Sequence, residues 1–320
     1  MQPRKTLKVA LLSLSTLLLA QCPAVLAADS TQDASASVSS GSSDAEQMKK
    51  DLEKLLVSFE HDWNSHNLDA VMAYYADDYY NNDGFDKKTI QQLTQELWKA
   101  YPDIKSTSLT KQIRVEGPYA TVESKDEATG NTAEEMVGLG TKGELKSTSE
   151  GQLYLKHLGT RWRIIGDRID FEKITVGYGL ARQLQPIFAA PEQVKGGKQF
   201  TARLEVDLPT GLAASGAISQ ATVSFPLSKR IPDKYKPIGD AITDRPLLER
   251  VMVANTKNRN ELLTASIGLT NASGNSLMGA LTLTRRLNVI PTMEAEEVTT
   301  TAVEPSKTPK TDEQAAPVTK

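Results

Sequence analysis

From Leu52 to Leu97 the apolar residues recur at helical spacing, and from Ile113 to Val289 they alternate. That one change of period divides the chain into a helical opening and a remainder built of strands. Leu52, Leu55, Leu56, Phe59 and Trp63 fall at i, i+3, i+4, i+7 and i+11 and predict a first helix, with Asp44 as its N-cap. Asn67 caps a second helix through Leu68, Val71, Met72 and Tyr75 that ends near Asp77. Asp86 opens a third through Ile90, Leu93 and Leu97, and Pro102 forbids its continuation. Ile113 and Val115, the Gly117-Pro118 turn, and Ala120 and Val122 then predict a hairpin. Leu153 and Leu155 mark a third strand, and Trp162 and Ile164 a fourth.

The second half alternates too. Ala202, Leu204 and Val206 share one strand face, as do Ala221, Val223 and Phe225. Leu263, Ala265, Ile267 and Leu269 form a third such face, and Leu281, Leu283, Leu287 and Val289 a fourth, which together predict a β-sandwich. Leu247 to Val253 fits a short helix or a strand equally well, and Arg285-Arg286 reads as a solvated pair on the last strand. Between the halves, residues 186–197 hold two prolines and two glycines and predict a connector. Two domains are therefore expected, at 44–180 and 192–290.

The termini have another character. Arg4, Lys5 and Lys8 precede an uncharged run from Val9 to Ala28, the layout of a secretory signal cut after Ala27. Periplasmic or extracellular export is expected, and the mature chain then carries 34 basic against 40 acidic residues, a charge of −6 that gives no footprint for nucleic acid. The lone Cys22 leaves with the signal, unless Leu19-Ala20-Gln21-Cys22 serves as a lipobox and Cys22 is lipidated; Gln21 is a poor residue at that place. The Ser-rich stretch 28–43 and the Thr- and Pro-rich tail 291–320 lack aromatics and predict a disordered linker and a disordered tail.

Four segments together carry a family likeness. Trp63-Asn64-Ser65-His66-Asn67-Leu68-Asp69-Ala70, Tyr74-Tyr75-Ala76-Asp77-Asp78, the third helix ending Trp98 to Asp103, and Arg161-Trp162-Arg163-Ile164-Ile165-Gly166-Asp167 resemble the NTF2-like superfamily, in particular its SnoaL-like and DUF4440-like members. The resemblance covers about residues 45 to 175. It implies an α+β chain in which an NTF2-like cone, helices over a curved antiparallel sheet, is followed by the all-β sandwich, which is Ig-like in architecture without the Cys and Trp pattern of true Ig domains. Such cones host isomerases, dehydratases and cyclases as well as members without catalysis, so fold does not decide function.

The resemblance also implies one catalytic candidate. Ketosteroid isomerases follow a similar Tyr-Ala-Asp-Asp with a proton-moving carboxylate that corresponds here to Asp83. The tyrosine that donates to the oxyanion in those enzymes corresponds to Phe59, which has no donor. Asn81-Asn82-Asp83-Gly84 is equally a turn, in which case Asp83→Asn changes stability by less than about 1 kcal/mol. Trp63, Tyr75, Tyr79, Leu97, Trp98 and Tyr154 are candidates to line a ligand pocket, or else are core. Asp77 and Asp78 read as a solvated helix end, and His61, His66 and His157 do not share a face as metal ligands would, so neither metal nor cofactor is expected. The expected function is non-catalytic binding of a small hydrophobic ligand, or scaffolding, in the cell envelope; the alternative is a cone-pocket enzyme using carboxylate proton transfer. Homodimerisation through Arg114, Glu116, Glu123 and Lys125 on the outer sheet face is set against plain solvation of that face.

Overall fold

The computed structural model describes residues 39–225, 236–238 and 247–292; the expected signal, Cys22 and nearly all of the expected tail lie outside them. Three helices open the fold: α1 (Ser39–Asn64), α2 (Leu68–Ala73) and α3 (Lys87–Ala100). In α1 the expected stripe is buried, with Leu52, Leu56, Phe59 and Trp63 all in the core. The helix reaches back to Ser39, so residues 39–43 of the expected linker are helical and Asp44 lies inside the helix instead of capping it. Extending a helix already nucleated by a packed stripe costs only propagation, which the weak propensity of Ser and Gly does not prevent. The other two caps form as expected: Asn67 Oδ1 accepts from the Ala70 amide at 3.2 Å and Asp86 Oδ1 from Thr89 at 2.7 Å. α2 stops at Ala73, because Tyr75 leaves the helix to bridge Ile164 in the sheet.

The strands are β1 (Lys105–Glu116), β2 (Tyr119–Met136), β3 (Thr141–Leu158), β4 (Arg161–Gly179), β5 (Ile187–Ala189), β6 (Gln193–Lys195), β7 (Gln199–Glu205), β8 (Leu212–Thr222), β9 (Lys236–Ile238), β10 (Leu247–Val253), β11 (Glu261–Asn271) and β12 (Leu277–Ile290). Among the described residues they form a nine-stranded sheet in the order β1-β2-β3-β4-β12-β11-β8-β9, with β6 parallel to β12, and a three-stranded sheet β10-β7-β5. The architecture is mixed α+β: a small helical region packs against a large antiparallel sheet, and a smaller sheet accompanies it. The ambiguous 247–253 segment is a strand, and the expected connector carries β5 and β6.

One sheet serves two cores. Ile174, Val176 and Tyr178 of β4 pack with the helices, while Leu281, Leu283 and Leu287 of β12 pack with Phe188, Ala202 and Leu204 of the small sheet. β4 and β12 are register partners from Lys173↔Arg285 to Gly179↔Gly279, with Ile174 opposite Thr284 and Val176 opposite Thr282. Opposite residues share a face, so the helices and the small sheet cover opposite faces of the same sheet. Gly179 makes the corner: its φ is +55°, and a Cβ there would stand 2.6 Å from the Met278 carbonyl oxygen.

Candidate functional site

Trp63 at the end of α1 and Trp98 near the end of α3 meet edge-to-face, with ring centroids 5.9 Å apart. His66, held at φ +57° just after α1, stacks on Trp98 at 4.7 Å and 16°. Trp63, Leu97 and Tyr101 are buried to within 1% and Trp98 to 9%, yet Trp63 Nε1, Trp98 Nε1 and the Tyr101 hydroxyl have no hydrogen-bond partner among the described residues. Burial holds the Tyr101 hydroxyl well above its ordinary pKa, with Tyr178 adding to the effect. Trp63 and Trp98 form one aromatic wall, and Tyr101, the C-cap of α3, belongs to the same core.

Tyr75 and Tyr79 form a second aromatic pair, edge-to-face at 5.0 Å, and Phe59 packs on Tyr75 at 6.1 Å. Tyr154 is not brought to them. It lies between the inward-facing Leu153 and Leu155 on β3, so alternation turns it to the other sheet face, where its hydroxyl donates to Gln152 at 3.0 Å. Of the pocket candidates, Trp63, Tyr75, Tyr79, Leu97 and Trp98 belong to one core, within which Trp63 meets Trp98 and Tyr75 meets Tyr79, while Tyr154 lies outside it.

Beside the tyrosines lies a buried polar chain. Opposite Tyr154, β4 places two residues, Ile165 and Gly166, where one is normal, since Ile164 already pairs with Leu155. The bulge turns Asp167 to the inward face opposite Leu153, under the helices. Its carboxylate accepts from the Tyr79 hydroxyl and, at 3.4 Å, from Asn81 Nδ2. Burial pushes the Asp167 pKa up to about 6; the Tyr79 hydrogen bond opposes the rise and the nearby Asp83 charge adds to it. Tyr79 is pushed well above its ordinary value by burial and then by the Asp167 charge, and Tyr75 rises for the same two reasons.

Asp83 itself is engaged. Its side chain is 3% exposed, and its Oδ1 accepts from Arg286 Nη2 at 2.5 Å and from Asn260 Nδ2 at 2.8 Å. Arg286 Nε donates to Asn288 Oδ1 at 2.8 Å, and Asn288 Nδ2 donates to the Asp170 carbonyl at 2.7 Å. The expectation of a solvated Arg285-Arg286 pair is overturned. Arg286 is buried, and Arg285 donates to the Phe188 carbonyl at 3.0 Å with its guanidinium 5.8 Å from the Phe171 ring centre. The turn itself forms as the sequence suggests: Asn81 Oδ1 accepts from the amides of Asp83 and Phe85, and Gly84 has φ +84°. In the sequence Asp167 stands out only within the family-like segment, Arg286 only as a solvated residue and Asn260 not at all, so the buried chain they form is not legible there.

The remaining candidates lie apart. Asp77 is solvated and pairs with Lys87 at 2.8 Å, whose hydrogen bond and charge hold its carboxyl below the usual range. On the outer face Arg114 pairs with Glu123 at 3.3 Å and Lys125 with Glu127 at 2.8 Å, so three of the four side chains proposed for a dimer interface, or their neighbours, are satisfied within one chain. Among the described residues no three His, Cys, Asp or Glu side chains are grouped to hold a metal ion.

No family model and no curated protein matches this chain. Solved structures that resemble part of it include two at low identity. One is Bd1075 of Bdellovibrio bacteriovorus, at 15% identity and a TM-score of 0.33, with 40% of this chain aligned to 41% of that one. The other is a protein of Novosphingobium aromaticivorans described as a scytalone dehydratase, at 12% identity and a TM-score of 0.34, with 40% of this chain aligned to 86% of that one. This chain thus spans under half the length of the first.

Proposed function

We propose that this is an exported, non-catalytic binding protein of the cell envelope. In this reading an NTF2-like cone holds a small apolar ligand, and an Ig-like β-sandwich braces the cone. The observation that carries it is the set of buried, unpaired donors on Trp63, Trp98 and Tyr101. Each such donor costs about 1–3 kcal/mol when left without an acceptor, and a ligand bearing a carbonyl or ether oxygen in that wall removes part of the cost. The ligand class is therefore a small, mostly apolar molecule with an acceptor oxygen.

The test is a titration of the chain's tryptophan fluorescence with acetophenone and with ethylbenzene, which has similar size and no acceptor. Saturable binding is expected for the ketone, at least about tenfold tighter than for the hydrocarbon and weakened by Trp98→Phe. Absence of saturable binding by either compound, or equal affinities, contradicts the reading. Export is checked separately: mass spectrometry of the chain from envelope fractions should find Ala28 or its neighbour as the first residue, and an intact Met1 or an acylated Cys22 refutes soluble export.

The enzymatic alternative draws support from a different carboxylate than the sequence suggested. Asp83 is held by Arg286, whereas Asp167 combines burial, a raised pKa and a bonded Tyr79. If the cone moves protons, Asp167→Asn abolishes turnover of a cyclic ketone. Retention of turnover in that variant rules Asp167 out as the acid or base.

A further inference from the structure

On the face of the large sheet away from the helices, a cleft of about 210 Å3 lies where β3, β4 and β12 meet residues 182–186. Lys146, Lys173 and Arg182 are its lining cations, Glu144 is its lining carboxylate, and Leu184, Leu281 and Leu283 are its apolar residues. Register fixes the grouping. Lys146 stands opposite Thr175 and Thr148 opposite Lys173, so the two lysines are diagonal neighbours on one face with the threonine hydroxyls beside them. On its other flank Lys173 stands directly opposite Arg285. Gly177 floors the cleft, where a Cβ would meet Arg182 Cα at 3.1 Å, so the 182–186 segment approaches closely only because this residue is glycine.

The charges do not cancel there. Glu144 pairs with Lys146 at 2.9 Å, and Arg285 turns to the Phe188 carbonyl with Glu192 at 3.9 Å. Among the described residues no carboxylate pairs with Lys173, although cations occupy its diagonal and opposite positions. Lys146 and Arg285 each stand beside a carboxylate, so the net positive charge of the cleft rests on Lys173 and on Arg182. The Arg182 guanidinium donates to the Lys142 carbonyl, and an anion bound in the cleft offsets the charge.

The geometry points to a binding site for a small organic anion with a short apolar tail: the head group sits among Lys146, Lys173 and Arg182, and the tail lies on Leu184, Leu281 and Leu283. The volume is below the roughly 300–1,000 Å3 of sites for drug-sized ligands, which limits the tail to a few carbons. The site is independent of the aromatic wall, because it lies on the opposite face of the sheet.

Isothermal titration calorimetry of the chain with hexanoate, hexyl phosphate, inorganic phosphate and hexylamine at low salt tests this. Saturable binding of hexanoate or hexyl phosphate is expected, the tighter of the two naming the head group, with hexylamine inert and inorganic phosphate weaker than hexyl phosphate. Lys173→Met and Lys146→Met, both at exposed positions and so compatible with folding, should each weaken binding about tenfold or more, whereas Trp98→Phe should leave it unchanged. Saturation by none of the probes, equal binding of hexylamine, inorganic phosphate matching hexyl phosphate, or full affinity in Lys173→Met overturns the proposal. Loss of binding in Trp98→Phe would overturn its independence from the aromatic wall.

Discussion

Arg286 on the last strand closes on Asp83, 203 positions earlier in the chain, at 2.5 Å, and both side chains are almost wholly removed from water. The pair ties the turn after α2 to the second core. Breaking it from one side leaves a buried charge uncompensated, which costs about 3–5 kcal/mol. Asp83→Asn should therefore lower unfolding stability by about that amount in urea titrations, well beyond the change of under about 1 kcal/mol expected of a simple turn residue. Asp83→Asn combined with Arg286→Met should recover about half of the loss, because an apolar side chain leaves no charge to satisfy. A single variant within about 0.5 kcal/mol of the parent would show the ion pair to be energetically idle.

Asp167 makes stability fall as pH rises across one window. Its folded pKa of about 6 lies above its ordinary 3.8, so between these values the folded chain keeps a proton that the unfolded chain releases. The contribution is full below about pH 4, is lost through about pH 6 and stays flat above. At roughly 1.4 kcal/mol per pKa unit the loss reaches about 3 kcal/mol. Asp77, Asp86 and Asp103, held below their ordinary values by partners, act in the opposite sense toward acid. The difference between the parent and Asp167→Asn isolates the Asp167 effect, and parallel stability–pH curves for the two would refute it.

Cooperativity follows from the β4–β12 ladder. Since one sheet carries both cores, the chain should unfold in a single transition even though the sequence reads as two blocks. All three tryptophans lie in the first block, so their fluorescence reports its core, while amide exchange along β11 reports the second. Coincident denaturant midpoints are expected. Midpoints separated by more than about 1 M urea would mean that the blocks melt independently.

Much of this fold was legible because its cores are apolar and periodic: the Leu52–Trp63 stripe, the Asn67 and Asp86 caps, and the inward faces of β7, β11 and β12 all follow the pattern. The length of β1 to β4 was not. Their inward positions include Ser106, Ser108, Ser124, Asp126 and Ser149, which are buried yet polar, so hydrophobic alternation disappears where the strands continue. Asp167 was hidden by a bulge, which changes a residue's face without changing composition. Arg286 was hidden by distance, because Thr282, Thr284, Arg286 and Asn288 read as a solvent face until the Asn81–Phe85 turn is laid over part of it.

The ligand reading is tested most directly by the indole N–H resonances of Trp63, Trp98 and Trp162 in a 15N-labelled chain. Acetophenone should move the Trp63 or Trp98 signal downfield as the donor gains an acceptor, leave Trp162 in place, and have no such effect when replaced by ethylbenzene. Unmoved Trp63 and Trp98 signals at saturating ketone, or equal shifts with the hydrocarbon, would contradict it.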